Sequence, residues 1–135
     1  MARAPNKSVE AFRKLTVEMQ RAVFNDAISE LNTQADALLG VMKSAVPHGA
    51  TSNLANSLRK EKGKKETVIA IRAGGESTTV GSDGRYYDYA RAVEFGTHKV
   101  PAHPFFFPSY RLMRKSMRSA MRRKITKRIK QYSAE

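Results

Sequence analysis

The sequence predicts an α+β fold in one domain, residues 1–135. It consists of a long N-terminal helix, a small antiparallel sheet of about three strands, a short helix and a basic C-terminal helix. Three observations predict it. Apolar residues recur every three or four positions from Phe12 to Met42. A β-branched run, TVIAIRA (67–73), lies between a charged turn and Gly74-Gly75. After Pro108, methionines and arginines segregate onto adjoining helical faces. A hydrophobic content of 41% is enough for one core at this length, and too much for a disordered chain.

The first element follows from Phe12, Leu15, Met19, Val23, Ala27, Ile28, Leu31, Ala35, Leu38, Leu39 and Met42, which share one helical face. Ser8 is the expected N-cap, Glu10 suits the first turn, and Pro47 and Gly49 end the pattern. Residues 1–8 form a flexible start. A helix over residues 9–45 would run ~55 Å at 1.5 Å per residue, longer than a compact domain of this size is wide. Either Gly40 or another break shortens it, or its ends meet a partner; the partner is the preferred reading.

In PHGATSNLANSL, Thr51 or Ser52 caps a short helical turn that buries Leu54 and Leu58. KEKGKKE is then a charged turn. TVIAIRA and ESTTVGS are expected to pair as a hairpin across Gly74-Gly75, closed at Ser82-Asp83-Gly84, with 57–62 as a third strand. Residues 86–95 read as a short helix with Tyr86, Tyr89, Ala92 and Val93 on one face and Gly96 as a left-handed C-cap. The last helix begins near Pro104 or Pro108 and runs toward Tyr132. Its apolar stripe is Met113, Met117, Ala120 and Met121. Past Arg123 the segregation fails, with Lys124 turning onto the apolar side while Ile125 and Ile129 rotate off it. Residues 124–135 therefore leave the body or meet a different surface.

The formal net charge is +13, and its distribution is uneven. Residues 111–135 hold 10 Lys+Arg against Glu135 alone, a net of +9, leaving +4 for the rest. Arg111, Arg114, Lys115, Arg118 and Arg122 share one face, a field that attracts polyanions or an acidic protein. No apolar run approaches membrane-spanning length, and MARAPNKSVEAF does not read as a signal peptide. The chain has no cysteine, hence neither disulfide nor thiolate.

Chemistry-bearing patterns are sparse. His48, His98 and His103 fall in proline-flanked loops without metal-ligand spacing, so no metal site is expected. Glu76, Asp83, Asp88 and Glu94 could gather near a sheet edge but lack a nuclease spacing, and acids in turns are usually solvated. A toxin-type ribonuclease could use Tyr86, Tyr87, Arg91, His98 and Lys99, though a long helix serves no purpose there. Phe105-Phe106-Phe107 is less ordinary. Three neighbours on a first helical turn point three ways, which suggests a subunit contact; the alternative is an aromatic plug over the sheet.

The order of these blocks is recognisable. PHGATSNLANSL resembles a P-x-x-T-G-x-L-x-x-S-I signature, and YARAVEFGT and PAHPFFFPSY follow it. Tyr89, Ala90, Val93, Glu94, Phe95, Gly96 and Thr97, then Pro101, Ala102, Pro104 and Phe105, resemble the two-block motif of the tailed-phage head–tail connector family. These are tail-completion or neck proteins, the gene-product-ten-like family of lambda-like siphophages. The likeness covers roughly residues 10–130. Pro47-His48-Gly49-Ala50-Thr51 departs from the first signature, with its glycine earlier and two extra residues.

The resemblance implies a structural virion protein rather than an enzyme, made in the host cytoplasm and located at the neck. It implies a ring, commonly a hexamer, contacting adaptor or portal-side and tail-tube proteins, with genome DNA passing through the lumen. It implies neither cofactor nor small-molecule substrate. Tyr89, Val93, Glu94, Phe95, Gly96, Thr97, Pro101, Pro104 and Phe105–Phe107 would be its interface and scaffold, and the five-residue basic face would look toward DNA. A small basic nucleic-acid-binding protein is the alternative.

Overall fold

The structure is a computed structural model that describes residues 4, 6–47 and 52–133. His48, Gly49 and the capping candidate Thr51 lie outside the described residues. The fold is α+β: helix α1 (Lys7–Ala45), helix α2 (Ser52–Ser57), strands β1 (Arg59–Lys62) and β2 (Ile69–Arg72), a 3-10 turn (Glu76–Thr78), strands β3 (Thr79–Ser82) and β4 (Arg85–Asp88), and helices α3 (Tyr89–Phe95) and α4 (Phe107–Ser133).

α1 is 39 residues long, hence about 58 Å. Gly40 does not break it. Helix formation starts earlier than expected because Asn6, not Ser8, is the N-cap, its side chain accepting the Ser8 N–H at 3.2 Å. Lys7 and Ser8 therefore belong to the helix and not to the flexible start.

The expected three-stranded sheet is instead two separate two-stranded hairpins. β1 pairs with β2 antiparallel, Arg59 opposite Arg72 and Lys62 opposite Ile69. The charged KEKGKKE segment thus supplies both a strand and its turn. Gly63 is needed there because a Cβ would come within 2.6 Å of Val68. β3 pairs with β4 around Asp83-Gly84, whose φ values of 57° and 75° fit a primed two-residue turn. This turn wins over Gly74-Gly75 as the hairpin closure, and it places Tyr86 and Tyr87 in a strand, not in the short helix.

The buried core lies toward the C-terminal end of α1. Leu38, Met42, Leu54, Leu58, Ala90 and Phe105 form it, with Ile71, Tyr89, Val93, Phe106, Met113 and Met117 packed around. α4 returns antiparallel along α1: Met113 and Met117 sit at this core, and Arg128 reaches Asp26, with contacts of 2.6 and 3.1 Å. The half-buried stripe of α4 is Met113, Met117, Met121, Ile125, Arg128 and Tyr132, with Ala120 beside it. Spacings of mostly four make it drift slowly round the helix. Ile125 therefore rejoins it and Lys124 stays exposed, contrary to the straight-face reading, while Ile129 does remain outside.

α4 ends five residues beyond Arg128. The first ~14 residues of α1, about 20 Å, consequently run past it, with no other described element alongside. Every residue from Lys7 to Leu15 is exposed.

Candidate functional site: the Glu94 corner

α4 opens without a usual cap. Its first residue is Phe107, the one before it is Phe106, and Pro108 in its first turn has no N–H to offer. The missing acceptor comes from another helix. Glu94, in α3 and only 7% exposed, takes the N–H groups of Phe105 and Phe106 on Oε2 at 2.8 and 2.9 Å, and that of Phe107 on Oε1 at 2.9 Å. A carboxylate at a helix N-terminus also opposes the positive end of the helix dipole. Ser109 closes the turn by donating its hydroxyl to the Phe105 carbonyl at 2.6 Å.

The loop between the two helices is held from within. Gly96 N–H donates to the Ala92 carbonyl, His103 N–H to that of Val93, and the Thr97 N–H to that of Val100, each at 2.8 Å. The Thr97 hydroxyl accepts the N–H groups of Lys99 and Val100 at 3.3 and 3.1 Å. Pro101 and Pro104 lie exposed on this path and narrow its φ freedom.

Gly96 differs from the expected left-handed cap. Its φ of 76° is positive, but ψ is 172°, a region open essentially to glycine alone. A Cβ there would also lie 2.8 Å from the Ala102 nitrogen.

The three phenylalanines separate in role. Phe105 is 1% exposed and belongs to the buried core cluster with Met42 and Leu54, so this ring is core and not an exposed contact surface. Phe106 is half-buried and edge-on to Phe105, with ring centroids 6.4 Å apart. Phe107 is 44% exposed and stands 5.9 Å from the ring of Phe95, itself 63% exposed. Behind these two a depression of about 200 Å³ is lined by Phe105, Phe106, Ala73 and Ala90, with Arg91 beside it.

Asp88 is a second fixed carboxylate that sequence reading left in the solvent. It caps α3 by accepting the Ala90 N–H at 2.9 Å, and takes the Thr78 hydroxyl at 2.6 Å and the Gly75 N–H at 2.8 Å. Arg59 clamps the same link by donating to the Gly74 carbonyl at 2.6 Å. Its signal was the position directly before an apolar-periodic stretch, where Asp is a favoured cap. Glu76 and Asp83 are exposed. Among the described residues no group of three or more His, Asp or Glu gathers as a metal site would, and no helix is long and apolar enough to cross a membrane.

The ribonuclease candidates do not converge. Tyr87 and Arg91 line one open depression with Thr97, but Tyr86 faces the other side of its strand, and His98 and Lys99 lie outside it on an exposed loop. On α4, Arg111, Arg114, Lys115, Arg118 and Arg122 are all exposed, as are Arg123, Lys124, Lys127 and Lys130. Among the described residues these nine form no ion pair, whereas Arg128 pairs with Asp26. No family model matches the chain, and no curated protein or solved structure does.

Proposed function

We propose that this chain is a structural subunit of a phage head–tail junction: a neck or tail-completion protein that assembles as a ring, commonly a hexamer, and joins the DNA-filled head to the tail. The reading is carried by the Glu94 corner. The two sequence blocks behind the resemblance, 89–97 and 101–107, form one rigid unit in which Glu94 of the first caps the helix opened by the second. Such a corner turns a carboxylate to scaffolding and presents Phe95 and Phe107 outward in a fixed pose. Its chemistry is mechanical. The partners in this reading are copies of itself, adaptor or portal-side and tail-tube proteins, and genome DNA in the lumen.

Locating a tagged copy by electron microscopy in the native particle tests it. A ring at the neck supports the reading. Absence from the particle, together with a stable solution dimer gripping duplex DNA, would replace it with the nucleic-acid-binding alternative.

A further inference from the structure

Two uncovered apolar surfaces lie at opposite ends of the molecule. One is the free start of α1, where Val9 is 46%, Phe12 68% and Leu15 37% exposed. Phe12, Leu15, Met19, Val23 and Asp26 follow at spacings of three and four, so this stripe continues the face on which α1 meets Arg128 of α4. The seam runs on after its helix has ended. The other surface is the Phe95–Phe107 depression, beside the core residue Phe105 and hence near Met42. Thirty residues of helix, ~45 Å, separate Phe12 from Met42, so the two surfaces cannot meet within one molecule.

We propose that they meet between copies: Phe12 of one subunit enters the Phe95–Phe107 depression of the next, head to tail. The depression, about 200 Å³, is of a size to take one aromatic ring against Phe95, Phe106 and Phe107. Charge is compatible, since the start of α1 carries Lys7, Arg13, Lys14 and Arg21 beside Glu10 and Glu18, while the depression is lined by Asp88 and Glu94 with Arg91. A contact joining two different surfaces is heterologous, and repetition closes it into a ring or extends it into a filament. Its area argues for repetition. Large aromatics bury about 150–250 Å² each, so one contact falls short of the ~800 Å² per partner of a stable pair. Two free subunits therefore part readily, and the contact persists where each copy makes it twice. Closure, though not the contact itself, rests on the ring-subunit reading.

The chain has no cysteine, so single cysteines report the contact cleanly. Thr16→Cys lies one turn along from Phe12, and Tyr87→Cys lies on the depression that shares Asp88, Arg91 and Phe95 with the docking site. With a short bis-maleimide at high protein concentration, the mixture of the two variants should give a cross-linked dimer that neither gives alone. Adding Phe12→Asp, an exposed position that leaves the fold intact by circular dichroism, should cut that product at least tenfold. Self-linking of Thr16→Cys would mean that two helix starts meet each other, and overturns the proposal, as does a mixture without product. The doubly substituted chain separates the two readings. A ladder ending at one mass supports both, and an endless ladder keeps the contact but counts against the ring. A neck ring seen by microscopy without any cross-link keeps the ring and removes the contact.

Discussion

At the scale of single residues, Glu94 and Gly96 hold the corner for different reasons. Glu94 serves three N–H groups with two oxygens. Glu94→Gln keeps one acceptor oxygen but turns an NH2 toward one donor, whereas Glu94→Ala leaves all three donors unserved, that of Phe105 in a buried place. Hydrogen bonds to a charged group are worth roughly 1.5–3 kcal/mol each and are not additive. Glu94→Ala should therefore cost about 3 kcal/mol or more and Glu94→Gln about half that, read as an ordered fall in melting temperature. Equal melting temperatures for wild type and Glu94→Ala would sink the capping account. At Gly96 the conformation excludes Asn as firmly as Val, because ψ near 172° lies outside the left-handed region where Asn is tolerated. Gly96→Asn and Gly96→Val should both lose on the order of 2 kcal/mol. A melting curve for Gly96→Asn close to that of wild type would place the backbone in the left-handed cap after all.

At the scale of elements, legibility tracked the range of the interactions. α1 was readable because its periodicity is local and long, and α4 because its methionine stripe begins at the core. Three strands were located but their pairing was not, because TVIAIRA could pair forward across Gly74-Gly75 or back across Gly63, and only packing decides. Arg59 and Ser57 settle it by binding the Gly74 carbonyl and N–H, which commits that glycine pair to a link between hairpins. Glu94 was readable as a motif residue but not as a cap, since the groups it serves lie 11 to 13 residues away. The far end of α4 carries one ion pair beside the half-buried Ile125 and Tyr132. Hydrogen bonds from Arg128 hold the Asp26 carboxyl below its usual range, and the charges of Arg128 and Lys124 act the same way, against partial desolvation. A depressed folded pKa means that the stabilisation is complete above the unfolded value, about 3.9, and lost as pH falls through the lower folded one. Amide exchange over 124–133 should be faster in Asp26→Asn than in wild type at neutral pH, and the two should converge near pH ~2. A difference that persists at that pH would show another contact holding this end.

At the scale of the whole molecule, the proposed ring raises the question of what the unbalanced charge of α4 faces, and a second copy is poorly suited to answer it. The chain has 12 acidic residues in all, and Asp26, Asp36, Glu61, Asp88 and Glu94 are already engaged inside the subunit. In the proposed assembly the basic face would look either to an acidic neighbouring protein or to phosphates. Charged residues as a group are depleted in the cores of protein contacts, so a dense run of exposed cations suits phosphates better. Under the ring reading these are the phosphates of passing DNA, gripped weakly and without regard to sequence so that the duplex can slide. If Arg111, Arg114, Lys115, Arg118 and Arg122 each release one counterion, log affinity should fall against log salt with a slope of roughly −4 to −5. Including Arg123, Lys124, Lys127 and Lys130 would steepen it toward about −8. Titrations of duplex DNAs of unrelated sequence, at several salt concentrations, distinguish these footprints. Replacing Arg114 and Arg118 with Gln should reduce the slope by about 2, equally for every duplex, and leave the melting temperature within a degree or so because both side chains are exposed. An unchanged slope would remove these two residues from the phosphate contact and point instead to an acidic protein as the partner of this face.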